Sequence, residues 1–447
     1  MPEPRGNADR MLWRGGALLL VVLLLLHRAL VLAAVGIRYV DDDQALLWYV
    51  ARDVAAGHVR EPSFPAQAYG TAIESWLGAP ACWLGVPLHI ALPIITTLLA
   101  LAPFLLLARL AWRRGEQGAA LSILVLPLLL PTSYAVISGI PHGYGAPGNC
   151  VAAIGAVLLF SERRVAVAVG SFLEMVALTM NETSALLDGF RHMDRFFSPF
   201  MPLGAPAWLF PVVGAVLIAV FLRNGQRLAA VVCLACFAPA LLSLGMPKIH
   251  QGSASVFFSW ARAYLALPLS IAFLLVIGAR RPIPRWMLLG LVLAATVNVG
   301  VQLSRLDEEA DALVSLDAGD VFFYPVATVE RDCAELERVA QASGAGLVVF
   351  RAGRSYAYAC GALGYGHLDT LYPRYERRTW RLVEEAARTR DRMLLFGADG
   401  ATCRDFLVKG ATQCALVSDA LKTAMVTFPP QSAVQFLRSV GGEVRPF

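Results

Sequence analysis

The chain has 447 residues, of which 57% are hydrophobic and only 16% are charged. This composition excludes an ordinary water-soluble protein, in which about 25% of residues are charged, and it is typical of a protein with several membrane spans. The formal net charge of +5 does not indicate nucleic-acid binding. The excess arginines lie in short loops between apolar runs, where they act as signals for membrane orientation.

Several apolar runs approach the length of roughly 20 residues that a helix needs to cross the hydrocarbon core. The first, residues 17–37, has no small-residue cleavage site after it and is expected to be an anchor. Together they predict a mainly α fold with a bundle of about nine spans. The later runs lie near residues 84–110, 119–138, 147–161, 165–180, 205–222, 228–246, 260–279 and 286–303.

Arginines mark every second loop of this bundle. They lie before the first span and then at residues 113–114, 163–164, 223–227 and 280–285. The positive-inside rule puts these loops and the N-terminus in the cytoplasm. The outward-facing segments are then 38–83, 139–146, 181–204, 247–259 and everything after Ser304. The sequence therefore predicts a multi-pass protein of the cell (inner) membrane with an extracytoplasmic, periplasmic C-terminal domain.

The first outward loop begins with RYVDDDQ at residues 38–44. Apolar residues then recur at three- and four-residue spacing as far as Gly57, which predicts an amphipathic helix over 42–56 that lies on the membrane surface. These residues are Leu46, Tyr49, Val50 and Val54. A second juxtamembrane helix is expected over residues 70–77.

Two interpretations of the three aspartates are open. Asp41 and Gln44 have the spacing of a helix-capping box, and acidic residues in a first helical turn suit the helix dipole. The functional interpretation is that a carboxylate at the bilayer surface acts as a base in the transfer of a sugar from a lipid phosphate. One base is enough for that reaction, because the phosphate leaves without being protonated.

The stretch DDDQALLWYVARDVAAGH resembles the "DEA…A…G" region of the GT-C glycosyltransferases. It is most similar to the family 39-like group that contains protein O-mannosyltransferases and bacterial lipid A aminoarabinose transferases. FPAQAYGTAIESWLGAP resembles the segment that follows in that group, so the resemblance is clearest over residues 15–85. It departs from the family's Asp-Glu pair, because Gln44 follows Asp43 unless Asp42 and Asp43 replace the pair.

The resemblance implies a polyprenyl-phosphate-linked sugar as donor and a glycan, lipid or protein as acceptor at the outer face of the bilayer. Asp43 best matches the family aspartate and is expected to be the catalytic base. Asp42 would support it through the acceptor or as a ligand of a divalent cation, the one cofactor that we consider. Glu74 lies in the resembling loop and is expected to bind substrate as a second acid, or to be a solvated residue of a short helix.

Four basic residues are further candidates for substrate binding. Arg28 interrupts the first apolar run beside His27, where it would either meet a lipid phosphate or snorkel to the interface. Lys248, His250 and Arg262 flank an outward loop, where they would stabilise the departing phosphate or simply anchor the interface.

Residues 304–447 differ in composition from the bundle of residues 1–303 and predict a small α/β domain. Its predicted strands are 346–350, 392–396, 414–418 and 424–428, and its predicted helices are 330–342, 374–392 and 431–439. Its four cysteines permit two disulfides in three pairings, of which we favour Cys403 with Cys414. The other two are Cys333 and Cys360.

Two other functions remain open. A transporter or flippase would use intramembrane charges such as Arg28 and Glu174 to line a path, although the chain has no internal repeat of the kind found in many transporters. A catalytically inactive membrane protein would instead bind a partner through its exported domain, which the Asp-Gln departure from the family pattern permits.

Overall fold

The computed structural model describes residues 7–58, 71–130, 132–143, 145–178, 268–269, 271–273, 275–276, 284–308, 310, 323–350, 354–363, 369–371 and 388–439. The chain is mostly helical with a small sheet region. Its contacts divide it into two compact units. The bundle unit comprises Met1–Gly36, Ala68–Thr71 and Pro93–Val321, and the loop–tail unit comprises Ile37–Gln67, Ala72–Leu92 and Phe322–Phe447.

Among the described residues, seven helices contribute to the bundle unit, and three apolar stretches of these helices are long enough to cross a membrane. The helices are α1 (Asn7–Val31, continued by a π-helical segment Leu32–Gly36), α4 (Leu88–Arg113, which starts in the loop–tail unit), α5 (Gln117–Leu129), α6 (Thr132–Ile137), α7 (Ala146–Leu159), α8 (Arg164–Leu178) and α9 (Arg285–Ser304). The candidate spans are Trp13–Gly36, Leu88–Arg113 and Trp286–Ser304.

These spans are consistent with a membrane protein. The shorter apolar helices α5 and α7 overlap two other predicted runs, 119–138 and 147–161. The runs near 205–222 and 228–246, and most of the run at 260–279, lie outside the described residues. The count of about nine spans therefore stays a prediction.

Helices α7 and α8 of the bundle unit pack closely through glycines. A Cβ atom on Gly170 would stand 2.8 Å from the carbonyl oxygen of Gly155, so a larger residue would push the two helices apart. Glu174 of α8 is 2% exposed, and its carboxyl fills the space over Gly155, where a Cβ atom would lie 2.7 Å from Oε1. Glu174 therefore lies in a helix–helix contact.

The loop–tail unit contains a five-stranded sheet in the order β4-β3-β5-β7-β6. Strand β3 is parallel to β4 and β5, while β7 is antiparallel to β5 and β6. The strands are β3 (Leu347–Phe350), β4 (Asp369–Leu371), β5 (Thr389–Phe396), β6 (Gln413–Ser418) and β7 (Thr423–Ser432). The described residues of the tail form the helices α10 (Val326–Ser343), α11 (Arg354–Ala362), α12 (Gly400–Val408) and α13 (Ala433–Ser439).

This sheet confirms the four predicted strands and adds β4, which is too short to stand out in the sequence. The predicted helices at 330–342 and 431–439 correspond to α10 and α13. The helix predicted over 374–392 is wrong at its end, because residues 389–392 begin β5. These residues are TRDR, whose charges are tolerated because this end of the strand is less buried than Met393–Leu395. The rest of that prediction, 374–387, lies outside the described residues.

Two disulfides join elements of the tail. Cys333 of α10 is bonded to Cys360 of α11, and Cys403 of α12 is bonded to Cys414 of β6. The predicted involvement of all four cysteines and the favoured pair Cys403–Cys414 are both confirmed. Each bond closes a loop within the tail, which restricts the unfolded chain and so stabilises the folded unit.

Helix α2 (Asp42–Ala55) confirms the first predicted loop helix, and Gly57 with φ +87° follows its end. The prediction that it lies on the membrane surface is wrong. Every residue from Asp43 to Ala51 is buried, whereas a surface helix keeps one polar face in water. Leu47 and Trp48 of α2 belong to the same apolar core as Leu336 of α10.

Helix α3 (Ile73–Trp83) packs beside α2 and confirms, with a longer extent, the second predicted loop helix. The Ser75 hydroxyl donates to the carbonyl oxygen of Leu47 at 2.8 Å, and Trp83 Nε1 donates to that of Ala55 at 2.9 Å. These two bonds lie near opposite ends of α3. They hold the pair of loop helices together along its length.

Two sets of hydrogen bonds join the first loop to the tail. Strand β1 (Tyr39–Val40) pairs antiparallel with β2 (Tyr324–Pro325), and Nη1 of Arg52 donates to the carbonyl oxygens of Gly361 at 2.6 Å and Ala362 at 3.3 Å. The contacts therefore group residues 38–58 and 72–83 of the first loop with the tail, whereas the sequence suggested a division at residue 304.

Replacing Arg52 by Met should loosen the contact between α2 and α11. The last carbonyls of a helix have no intrahelical donor, and a cation there also complements the helix dipole. Losing the charged donor should cost about 1–3 kcal/mol of local stability. Amide hydrogen exchange should then speed up in α2 and α11. Arg404→Met, an exposed position on α12, is the matched control and should change nothing there. Unchanged exchange in Arg52→Met would contradict this role.

Candidate functional site

The aspartate motif forms the first turn of α2. Asp41 is the N-cap residue: it has extended backbone angles, and its Oδ1 accepts a hydrogen bond from the Gln44 N–H at 2.8 Å. The predicted capping role of Asp41 is confirmed, because a side-chain oxygen here satisfies one of the unpaired N–H groups of the first turn. Only half of the capping box forms, since Gln44 Oε1 accepts no hydrogen bond from the described residues.

The three carboxylates differ in exposure. Asp41 is 1% exposed and Asp43 is 7% exposed, while Asp42 is only partly buried. The predicted base, Asp43, is thus less accessible than the predicted supporting residue, Asp42. A carboxylate with low exposure at the start of a packed helix has a fixed orientation, which suits a base that must meet one proton.

The tail contributes a tyrosine to this turn, which sequence reasoning missed. In the β1–β2 pairing Tyr324 is opposite Val40, two residues before Asp42. Burial raises the pKa of the Tyr324 phenol, and the nearby Asp42 carboxylate raises it further. The phenol therefore stays protonated at neutral pH and remains a hydrogen-bond donor.

A second tyrosine supports the first. The rings of Tyr324 and Tyr356 meet edge to face with centroids 5.3 Å apart. The Tyr356 hydroxyl donates to Asp332 Oδ2 at 3.0 Å, and burial followed by this carboxylate raises the pKa of the Tyr356 phenol well above its usual range. The only sequence signal for Tyr324 is its place two residues before α10, which starts at Val326.

Glu74 belongs to the same unit as the aspartates, in the first turn of α3, and it is fully buried. The alternative that Glu74 lies on a solvated helix face is therefore wrong. Its predicted role in substrate binding stays a prediction. Among the described residues, no group of three or more histidines, cysteines, aspartates or glutamates could hold a metal ion. The divalent cation at Asp42 likewise remains a hypothesis.

Of the four basic candidates, one belongs to the bundle unit and three lie outside the described residues. Arg28 belongs to the bundle unit, where it is 3% exposed, so it does not snorkel into water. Its Nη1 donates to Ser138 Oγ at 2.9 Å, and its Cζ lies 5.3 Å from the centre of the Tyr134 ring. Lys248, His250 and Arg262 lie outside the described residues.

Replacing Asp42 by Asn should lower the pKa of Tyr324, because a nearby negative charge that disfavours the phenolate is removed. The test is an alkaline titration of tyrosinate absorbance. Subtracting the matching Tyr324→Phe protein isolates the signal of Tyr324, with and without Asp42→Asn. Asp405→Asn, exposed on α12, is the control and should leave the midpoint unchanged. Identical midpoints with Asp42 and with Asn would show that the two groups do not interact.

No known protein family, curated protein or solved structure matches this chain. The likeness to GT-C glycosyltransferases thus rests on the residues of the first span and loop.

Proposed function

We propose that the chain is an integral membrane glycosyltransferase that moves a sugar from a polyprenyl-phosphate donor to an acceptor at the outer face of the membrane. One observation carries the proposal. Two carboxylates, Asp42 and Asp43, head a buried helix that begins only a few residues after the first candidate span ends at Gly36. Along the chain the two carboxylates follow the end of that span by only six and seven residues.

The proposed reaction needs one base. The Asp43 carboxylate takes the proton from an acceptor hydroxyl or amine as the acceptor atom bonds to the anomeric carbon of the sugar. The bond from that carbon to the phosphate oxygen breaks, and the lipid phosphate leaves with the electron pair. A single direct displacement of this kind inverts the configuration at the anomeric carbon.

The neighbours of Asp43 have supporting roles in this proposal. Asp42 is the more exposed carboxylate and is near enough to raise the pKa of the Tyr324 phenol, so in this proposal the two accept from and donate to one acceptor or sugar hydroxyl. Alternatively Asp42 helps hold a divalent cation. Glu74 serves as a further acid at the acceptor site. The tail thereby takes part in the site, through Tyr324, instead of being a separate binding module.

The packing of the first loop with the tail supports part of the proposed topology. Strands β1 and β2 pair directly, which supports a topology in which the loop at 38–58 and the tail lie on the same side of the membrane. The arginine pattern suggests that this is the extracytoplasmic side, with the N-terminus in the cytoplasm. A polyprenyl-phosphate sugar and an acceptor of the cell envelope would both be available there.

A fusion of alkaline phosphatase to the C-terminus should be active, because this enzyme folds only after export. A fluorescent protein that cannot fold after export should be dark at the same position. The matched control places both reporters after Arg114, in a loop that the arginine pattern assigns to the cytoplasm, and expects the opposite result. A fluorescent C-terminal fusion and an inactive phosphatase would contradict the orientation and the site of catalysis together.

Asp43→Asn should lower turnover by roughly 10²-fold or more, because Asn keeps the size of the side chain but cannot accept the proton. Asp41→Asn should be almost silent, since Asn caps a helix about as well as Asp. The measurement is transfer of labelled sugar from polyprenyl phosphate to envelope lipid, glycan or protein by purified protein. Asp42→Asn should give an intermediate loss.

Full activity of Asp43→Asn would remove the base from the proposal. If Asp42→Asn then lost activity instead, the more exposed carboxylate would be the base. Full activity in both variants would reduce the motif to a helix cap, and the proposed enzyme mechanism would be wrong.

A further inference from the structure

Helix α11 of the tail contacts both segments that carry the candidate site. Near its start, the ring of Tyr356 meets the ring of Tyr324 with centroids 5.3 Å apart. In its middle, the ring of Tyr358 is centred 6.2 Å from the ring of Tyr49 in α2. At its end, two carbonyl oxygens accept hydrogen bonds from Arg52 of α2. A displacement of α11 would therefore reach both the tyrosine of the site and the helix whose first turn carries the aspartates.

A covalent bond fixes α11 to α10. Cys333 and Cys360, which form this disulfide, are both 0% exposed and lie in the apolar core that also contains side chains of α2. The hydrogen bond from the Tyr356 hydroxyl to Asp332 joins the same two helices. Asp332 directly precedes Cys333, and Tyr356 lies one turn before Cys360 on the same face of α11. The disulfide therefore holds the tyrosine hydroxyl and the carboxylate within hydrogen-bond distance.

The second disulfide of the tail has a different environment. Cys403 and Cys414 join α12 to β6, and Cys403 lies in a separate apolar core with Phe406 and Phe436. That core includes no described residue of α2 or α11. The two disulfides are chemically alike, so a comparison between them separates an effect on the site from a general loss of stability.

We infer that the Cys333–Cys360 disulfide positions the candidate site, so that sugar transfer depends on the oxidation state of this one bond. The inference rests on the proposed function for the reaction that is regulated. Tyr356 is a positioning residue, because it acts through Tyr324 rather than on the substrate. Neither cysteine takes part in the transfer itself.

Reduction of this disulfide takes a dithiol from solution. A thiolate of the dithiol attacks one sulfur of the bond and forms a mixed disulfide, while the other cysteine leaves as a thiolate. The second thiol of the reductant then displaces the cysteine that is still bound. The dithiol becomes a cyclic disulfide, and Cys333 and Cys360 each gain one electron and one proton. Because both cysteines are buried, the attack needs α10 and α11 to separate briefly, which makes the reduction slow.

The first measurement is the alkaline titration of Tyr324 in the full-length protein in detergent micelles, isolated by subtraction of the Tyr324→Phe protein. Replacing Cys333 and Cys360 together by Ala should lower the pKa of Tyr324 toward the ordinary value of tyrosine. Burial and the nearby carboxylate both raise this pKa in the native protein, and both effects weaken when α11 loosens. Replacing Cys403 and Cys414 together by Ala is the matched control and should leave the midpoint unchanged.

The second measurement is sugar transfer by the same proteins. Loss of the Cys333–Cys360 bond should lower turnover by roughly tenfold or more, because small displacements of reacting groups slow a reaction strongly. The control pair should keep its activity. In the unchanged protein, dithiothreitol should lower transfer in step with the alkylation of Cys333 and Cys360, followed by mass spectrometry, and reoxidation should restore it. Tyr356→Phe, which keeps the ring but loses the bond to Asp332, should show a smaller loss.

An unchanged Tyr324 midpoint without the Cys333–Cys360 bond would overturn the inference, whatever the activity. An equal shift in the control pair would also overturn it, because the effect would then be general. If the double variant does not fold, the reduced and alkylated native protein replaces it in both measurements, and full turnover by Tyr356→Phe would refute the positioning role. A shifted midpoint in a protein that never transfers sugar would refute the proposed enzyme alone.

Discussion

The burial of α2 among the elements of the tail is the constraint on which the rest of the loop–tail unit depends. Its residues Leu47 and Trp48 lie in one apolar core with the helix that carries the Cys333–Cys360 disulfide. Removing such side chains from water stabilises the folded unit by about 25 cal/mol for each Å² of apolar surface that is buried. A contact of α2 at the protein surface would bury less apolar area and would therefore stabilise the unit less. The first turn of the helix, and with it Asp42 and Asp43, takes its position from this packing.

Local features of this unit could be predicted because they depend on neighbouring residues. The periodicity of 42–56 gives a helix, Asp41 has the side chain and spacing of a cap, and the apolar runs of the tail become strands. The partner of α2 could not be predicted. Its apolar residues suit a bilayer surface and a protein core equally well, and only the tail, far along the chain, decides between them. Tyr324 was missed for the same reason, since its neighbour Asp42 is adjacent only through the β1–β2 pairing.

In the bundle unit, by contrast, the sequence did indicate a residue of interest, but not its surroundings. A charge inside an apolar run is conspicuous in a sequence, and Arg28 could be singled out from that alone. The contacts that Arg28 makes in the folded protein could not be predicted from the sequence. Ser138 and Tyr134 lie on or just after a short helix, α6, and nothing in their sequence indicates that they hold the guanidinium.

The central claim is that the aspartate motif is held by the tail, and a disulfide cross-link tests it most directly. Paired residues of adjacent strands have Cα atoms close enough to be bridged, and their side chains share one face. With a protease site between residues 311 and 322, Val40→Cys with Tyr324→Cys should keep the cleaved fragments together until reductant is added. Tyr39→Cys with Tyr324→Cys should not, because Tyr39 points to the opposite face. Fragments that separate without reductant in the first protein, or stay joined in the second, would contradict the pairing and the site built on it.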